Sequence, residues 1–255
     1  MERRVRFTAA LALLAAGCQP VTSAGSSPTP TSAAATMRLV AAESAALTTY
    51  RAELNQKSRL DGKPTTVVGT LQVRRGENPA VSADFSQFSV SGATVNDAQV
   101  VLESGLLYLK IPVLSRTLAG GKPWLRISLT GLQNFTGIDA ASVVGSLLET
   151  GPSTLSRMLA ASSDVRTAQP GHLHGTVSVR AALKQLSDTD QQRARRVYSD
   201  DGTLTFDLWV DARHRPTKVS LRDTDSLDTT VTFHYGGSVS INPPPSDQVG
   251  RLLSG

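Results

Sequence analysis

Only one cysteine, Cys18, occurs in 255 residues. Without a second thiol the chain forms no internal disulfide, so its fold must rest on a hydrophobic core. No apolar run reaches 18 residues, so no transmembrane helix is expected. Charge of one sign is also scarce. The formal net charge is +5, and setting aside Arg3, Arg4, Arg6 and Glu2 leaves roughly +3. No clustered basic stripe exists, so nucleic acid is not an expected partner. The motifs that announce chemistry are missing as well: no Gly-x-Ser-x-Gly, no His-Glu-x-x-His, no Walker loop and no Gly-x-Gly-x-x-Gly. Gly120-Gly121-Lys122 lacks the rest of a phosphate loop. No enzyme activity, cofactor or metal is expected.

What is present begins at the amino terminus. Met1-Glu2-Arg3-Arg4-Val5-Arg6 is basic, Phe7 to Ala16 is apolar, and Leu14-Ala15-Ala16-Gly17 leads directly into Cys18. This is the layout of a secretory signal, with an apolar core too short to span about 30 Å of hydrocarbon. A cysteine directly after small residues makes it a lipoprotein signal. The expectation is cleavage before Cys18, acylation of its thiol, and a lipid anchor on the extracytoplasmic face of the cell membrane. Ala15 stands where a lipobox usually has Leu, with Leu14 one place further back. The competing reading is an ordinary secretory signal with an incidental cysteine.

Composition divides the rest. Residues 1–17 are the expected signal peptide. Residues 18–36 are the acylated cysteine and a Ser/Thr/Pro/Ala-rich tether, without apolar periodicity to order it. Residues 37–255 are expected to form one domain. A helix is expected over Met37 to Tyr50, capped by Thr36, with Leu39, Val40, Ala46, Leu47 and Tyr50 near one side. The period then changes to two. Strands at Tyr50–Leu54, Val67–Val73, Val81–Phe85, Gln99–Leu102, Leu106–Ile111 and Trp124–Leu129 are separated by turns such as Leu60-Asp61-Gly62-Lys63-Pro64 and Glu103-Ser104-Gly105. Helical spacing returns at Asp139–Glu149 and Ser153–Ala161. Strands resume near Val165, Leu173, Leu204, Lys218 and Thr229, with a polar helical stretch at Ala181–Tyr198 broken near Asp188. The fold class that fits is α+β: a curved antiparallel sheet, a half-barrel, wrapped over central helices. Such a sheet can enclose an apolar cavity; the same Leu and Val residues also suit a fully packed core.

Several segments, in order, resemble a known family. They are the lipobox and tether, Tyr50-Arg51-Ala52-Glu53-Leu54, Gly121-Lys122-Pro123-Trp124-Leu125-Arg126-Ile127 and the helix after Gly137-Ile138-Asp139. Leu208-Trp209-Val210-Asp211 with Arg215-Pro216-Thr217-Lys218-Val219, and Pro243-Pro244-Pro245-Ser246-Asp247, complete the series. The pattern is similar to the LppX/LprA/LprF/LprG lipoproteins of mycobacteria and related actinobacteria, structural cousins of the LolA/LolB carriers. The resemblance implies a half-barrel with an apolar cavity that binds acylated lipids or glycolipids and moves them across the envelope. It implies no catalytic residue and leaves any lipid exporter partner unknown. The lining it suggests is Val143, Val144, Leu147, Leu148, Leu155, Met158 and Leu159, with Leu107, Leu109, Ile127 and Leu129 opposite. An envelope structural or signalling lipoprotein with a filled core is the alternative, and an undetected hydrolase is a third reading.

Four other constellations carry weaker signals. His172 and His174, two apart on a strand, share a face, but no third metal ligand stands at a familiar spacing, so they are expected to face solvent. Asp223-Thr224-Asp225-Ser226-Leu227-Asp228 lacks the Gly and Glu of a calcium loop and is read as an acidic turn. Asp200-Asp201 and the cluster Arg193, Arg195, Arg196 are read as solvated faces, the arginines having anionic headgroups as the alternative contact.

Overall fold

The computed structural model describes residues 32–60, 62–90, 92–112, 118–128, 151–195, 198–223 and 227–251. All fall in one compact unit, residues 31–255. Its first element, α1 (Ala33–Ala46), starts four residues earlier than the sequence suggested. Ser32 is the cap, its Oγ accepting the Ala35 N–H at 3.2 Å. Thr36, expected to cap, instead turns its hydroxyl back to the Ser32 carbonyl, as a Thr inside a helix does. Ala33 to Thr36, read as tether, are thus helical. The buried stripe is Met37, Val40 and Ser44. Leu39, placed on the apolar side from spacing, is 43% exposed.

After α1 the alternation of Tyr50, Ala52 and Leu54 with Arg51, Glu53 and Asn55 turns one set inward and the other to solvent. The strands are β1 (Thr49–Leu60), β2 (Lys63–Arg74), β3 (Ala80–Val90), β4 (Ala93–Val95), β5 (Ala98–Glu103), β6 (Leu106–Lys110) and β7 (Trp124–Ser128). The β5–β6 turn places Ser104 and Gly105 at φ 52° and 74°, the left-handed pair that a two-residue hairpin loop needs. Then come α2 (Pro152–Leu159), β8 (Arg166–Gln169), β9 (His172–Ser178), α3 (Val179–Leu183), α4 (Asp188–Ala194), β10 (Thr203–Val210), β11 (Pro216–Arg222), β12 (Asp228–His234) and β13 (Val249–Arg251).

Neighbouring strands run in the order β13-β7-β6-β5-β3-β2-β1-β12-β11-β10-β9-β8, with β4 beside β3. The sheet does not close on itself, and the expected α+β half-barrel is the fold observed. Its main core lies on the inner face, where strand residues such as Leu71, Phe206 and Val231 form one cluster with Met37, Val40, Leu155 and Leu159 of the helices. Among the described residues no helix is long and apolar enough to cross a membrane.

The carboxyl-terminal segment departs from expectation. Read as a tail, it crosses the outer face after β12. Ile241, 1% exposed, packs with Ala80, Val101 and Tyr108 in a second small core. It ends as β13, parallel to β7 with Val249 opposite Trp124. Gly250 permits this pairing, since a Cβ there would sit 2.1 Å from the Ala119 carbonyl oxygen. Lys122 holds the strap further, donating from Nζ to the Asp247 carbonyl at 2.7 Å. Three prolines and the absence of alternation hide this strand in the sequence.

Candidate functional site

The inner face of the half-barrel is where the sequence placed a ligand. Leu107 and Ile127 stand opposite one another across β6 and β7, and Leu109 faces Leu125 in the same ladder. On the helical side, Leu155, Met158 and Leu159 lie on α2, whose N-cap is Gly151 and whose first residue is Pro152. A proline at the first helical position loses no hydrogen bond there. The fold brings these six residues into one apolar cluster, Leu109 at its partly buried margin. Leu107, Ile127, Leu155, Met158 and Leu159 are each 4% exposed or less. Leu129, Val143, Val144, Leu147, Leu148 and Cys18 lie outside the described residues.

The interior has a second property that apolar periodicity did not show. Among the described residues, every buried polar side chain is a hydroxyl and none carries charge: Ser44, Ser58, Thr65, Ser153, Thr154, Ser156, Ser220 and Thr229. Ser44 of α1 and Ser156 of α2 share a buried hydrogen bond of 2.9 Å that ties the two helices. Ser44 continues the Met37–Val40 spacing, so its position was legible, but its polarity argued against burial. Tyr50, 3% exposed, is a titratable group on this face. Burial pushes its hydroxyl up to about 12, against a lowering pull from the Arg75 charge. It stays neutral through the physiological range.

The outer face carries the polar constellations. His172 and His174 do share a face, as expected, but they are not simply solvated. His172 Nε2 and His174 Nδ1 lie 2.8 Å and 3.1 Å from the same oxygen, Asp207 Oδ1, on β10. The register explains it, with Asp207 directly opposite His174 and one step diagonal to His172. The His172 ring also stacks on Trp209 with centroids 4.4 Å apart. Among the described residues no His, Cys, Asp or Glu group is arranged to hold a metal. Asp223 closes its turn by accepting the Leu227 N–H at 2.7 Å. Arg195 pairs with Asp200, and Arg180 with Asp201. The Arg193 side chain and Arg196 lie outside the described residues.

Burial opposes ionisation of Asp207, but the hydrogen bonds and charge of the two histidines outweigh it and hold the carboxyl below its ordinary value. The unfolded chain therefore takes up this proton first as acid is added. The stabilisation is complete above the ordinary value of 3.8 and fades as pH falls through the lower folded value. Asp207→Asn is expected to cost about 1 kcal/mol at neutral pH. Urea midpoints across a pH series check this. The gap between wild type and variant is expected to close at acid pH, and a gap that does not change with pH would contradict the assignment.

No protein-family model matches the chain, and no curated protein matches its sequence. Solved structures do match its fold. LprF from Mycobacterium bovis superposes with a TM-score of 0.50 at 12% identity, over 83% of this chain and 96% of that one. The Mycobacterium tuberculosis lipoprotein LppX gives 0.41 at 12% identity, over 82% and 98%. A LolA-superfamily protein from Nitrosomonas europaea gives 0.30 at 9% identity, over 85% and 96%. The likeness is one of fold, and the LprF superposition carries it: the chain has an open half-barrel like that of LprF, as the resemblance drawn from its residues implied.

Proposed function

We propose that this protein is a membrane-anchored lipoprotein that holds acylated lipids or glycolipids between its sheet and its helices and carries them across the cell envelope. The observation that carries the reading is the core of an LprF-type half-barrel, in which the fully buried side chains among the described residues are apolar or hydroxyl-bearing. An acyl chain gains about 0.8 kcal/mol per buried CH₂ in such surroundings, and a few hydroxyls suffice to orient it. The lining assigned to it is Leu107, Leu109, Ile127, Leu155, Met158 and Leu159, continued by Leu129, Val143, Val144, Leu147 and Leu148. Acylated Cys18 supplies the anchor, and the Ser/Thr/Pro-rich segment after it supplies reach. No residue is assigned a catalytic role.

One observation favours the alternative, a non-carrier envelope lipoprotein with a filled core: five of the six described lining residues are packed at 4% exposure or less. Met158→Trp separates the two. In a lipid site the indole occupies acyl-chain space, so bound lipid falls while the denaturant midpoint moves little. In a filled core the ring overpacks and costs about 1–3 kcal/mol. Native mass spectrometry of protein from its own host, paired with urea unfolding, reads both quantities. The carrier reading predicts acylated lipid on the wild type and its loss from the variant. A lipid-free wild type whose variant loses midpoint would sink it.

A further inference from the structure

The start of α2 is built without the partners that a helix start needs. The first N–H groups of a helix have no acceptor within it, and a capping side chain, water or a ligand must satisfy them. Here the N-cap is Gly151, which has no side chain to offer, and no side-chain cap hydrogen bond forms. Pro152 follows and carries no N–H. The Leu155 N–H reaches the Gly151 carbonyl at 3.1 Å. That leaves the N–H groups of Ser153 and Thr154 unmatched by the helix itself, in a first turn where Gly151, Pro152, Ser153 and Thr154 are all buried.

A helix start alone would say little, but three unpaired side chains share this one. Ser153 is 7% exposed and Thr154 8%, and among the described residues neither hydroxyl has a hydrogen-bond partner. Ser156, by contrast, has its partner in Ser44. Arg157 stands one turn on, at i+4 from Ser153 and i+3 from Thr154. Side chains on a helix lean back toward its amino terminus, which directs the guanidinium to that pair. Arg157 is half-buried, and its Nε is shut off from solvent with no hydrogen-bond partner. Arg74, Arg180, Arg195, Arg215 and Arg222 each pair with a carboxylate. Arg157 pairs with none among the described residues.

Two amides, two hydroxyls and a guanidinium can all donate here, and none of them brings negative charge. A cation drawn out of water without a partner is costly, and so is a buried hydroxyl without one. A single oxyanion satisfies them together. Helix-start N–H groups and the positive end of the helix dipole favour a negative group. The planar guanidinium fork matches the oxygens of a carboxylate or a phosphate. A neutral sugar or glycerol headgroup would leave the guanidinium charge uncompensated. Helical periodicity places Leu155 and Leu159, 2% and 1% exposed, on the opposite side of α2. Donors for a polar head and lining for an apolar chain therefore lie on one short helix.

We infer that the first turn of α2 is an anion pocket for the headgroup of the carried lipid, a phosphate or carboxylate held by Arg157, Ser153, Thr154 and the two amides. The inference rests on the carrier reading and narrows it: the cargo is an anionic acylated lipid, not a neutral one. Arg157 supplies the charge that selects the headgroup. The hydroxyls and amides fix its position at the end of the helix. The acyl chain gains its affinity from the apolar lining and carries no such selectivity.

The test offers the purified full chain two ligands that share one acyl chain, oleoyl-lysophosphatidate and monooleoylglycerol, below their micellar concentrations, with inorganic phosphate as a third probe. Equilibrium dialysis is expected to show the lysophosphatidate bound at least about tenfold more tightly than the neutral lipid. Arg157→Gln should weaken the lysophosphatidate until the two lie within about threefold of each other, whereas Arg157→Lys, which keeps the charge, should retain a preference. Ser153→Asp builds a fixed carboxylate into the pocket. It should abolish the preference and hold or raise the urea midpoint, because the helix start and Arg157 already supply its partners. Equal binding of the two lipids by the wild type would overturn the inference and leave the carrier reading standing. Binding of neither lipid would overturn both, and inorganic phosphate that binds in that case would assign the pocket to a free anion. A preference that survives Arg157→Gln, or a midpoint that falls in Ser153→Asp, would also overturn the inference.

Discussion

Phe206→Ala is expected to lower the stability of the folded unit by about 3–5 kcal/mol, the range for deleting a fully buried aromatic side chain. Phe206 is 0% exposed on β10, between Leu221 of β11 and Gly175 of β9. The glycine is part of the same packing. A Cβ at Gly175 would lie 3.0 Å and 3.1 Å from Phe206 Cζ and Cε1, so the ring lies over the space that a β9 side chain would otherwise take. An aromatic ring covering a strand glycine shields backbone that the glycine leaves bare. The pair should therefore behave as a unit. Gly175→Ala in the wild type is expected to cost about 1–3 kcal/mol by overpacking. In a Phe206→Leu background it should cost less, because the smaller side chain vacates part of the contested space. Relief will be partial, since the same Cβ also approaches Val165 Cα at 3.1 Å. A double-mutant cycle read by urea unfolding measures the coupling, expected between about 0.5 and 3 kcal/mol for residues in contact. Additive losses would show that the ring does not depend on the glycine.

Cys18→Ala is expected to release the protein completely from the membrane fraction while leaving the half-barrel folded. The first half follows from the proposed anchor: without the thiol there is no acylation, and among the described residues no helix is able to cross a membrane in its place. The second half follows from where the core draws its residues. The cap at Ser32 and the buried positions Met37, Val40 and Ser44 lie well beyond Cys18, and the main core draws its buried residues from Met37 onward. Fractionation after a salt wash reads the anchor, and the urea midpoint of the variant reads the fold. A Cys18→Ala protein that remains with washed membranes would remove the anchor from the proposal. A lowered midpoint would mean that the segment before Ser32 contributes to the folded unit.

The two properties also separate the roles of the faces. The inner face holds the apolar packing that the carrier reading uses. The outer face holds the ionic and hydrogen-bonded ladders. Asp211 illustrates how local those ladders are. Burial works against its charge, but the Arg215 side chain and the N–H groups of Arg215 and Arg213 outweigh this and hold its carboxyl below the ordinary range. This clamp fixes the β10–β11 turn, where His214 adopts φ 58°, and it explains the Val-Asp…Arg-Pro pattern as turn chemistry.

Alternation at Tyr50, Ala52 and Leu54, turn pairs such as Ser104-Gly105, and the helical spacing of Leu155, Met158 and Leu159 determined by themselves most strands, the α+β class and the face each strand buries. These signals act within a few residues, so the sequence carries them openly. The expected lipoprotein signal over residues 1–17, leading into Cys18, is of the same kind, a contiguous pattern. What tertiary structure alone decided lies across long separations. Asp207 is joined to His172 and His174 from 35 and 33 residues away, Ser44 to Ser156 from 112, and Lys122 to Asp247 from 125. The strap that ends in β13 is likewise a product of strand register. Register depends on which strands meet and where a bulge shifts them. A side chain's own neighbours in sequence do not encode that; the packing of the whole sheet against its core does.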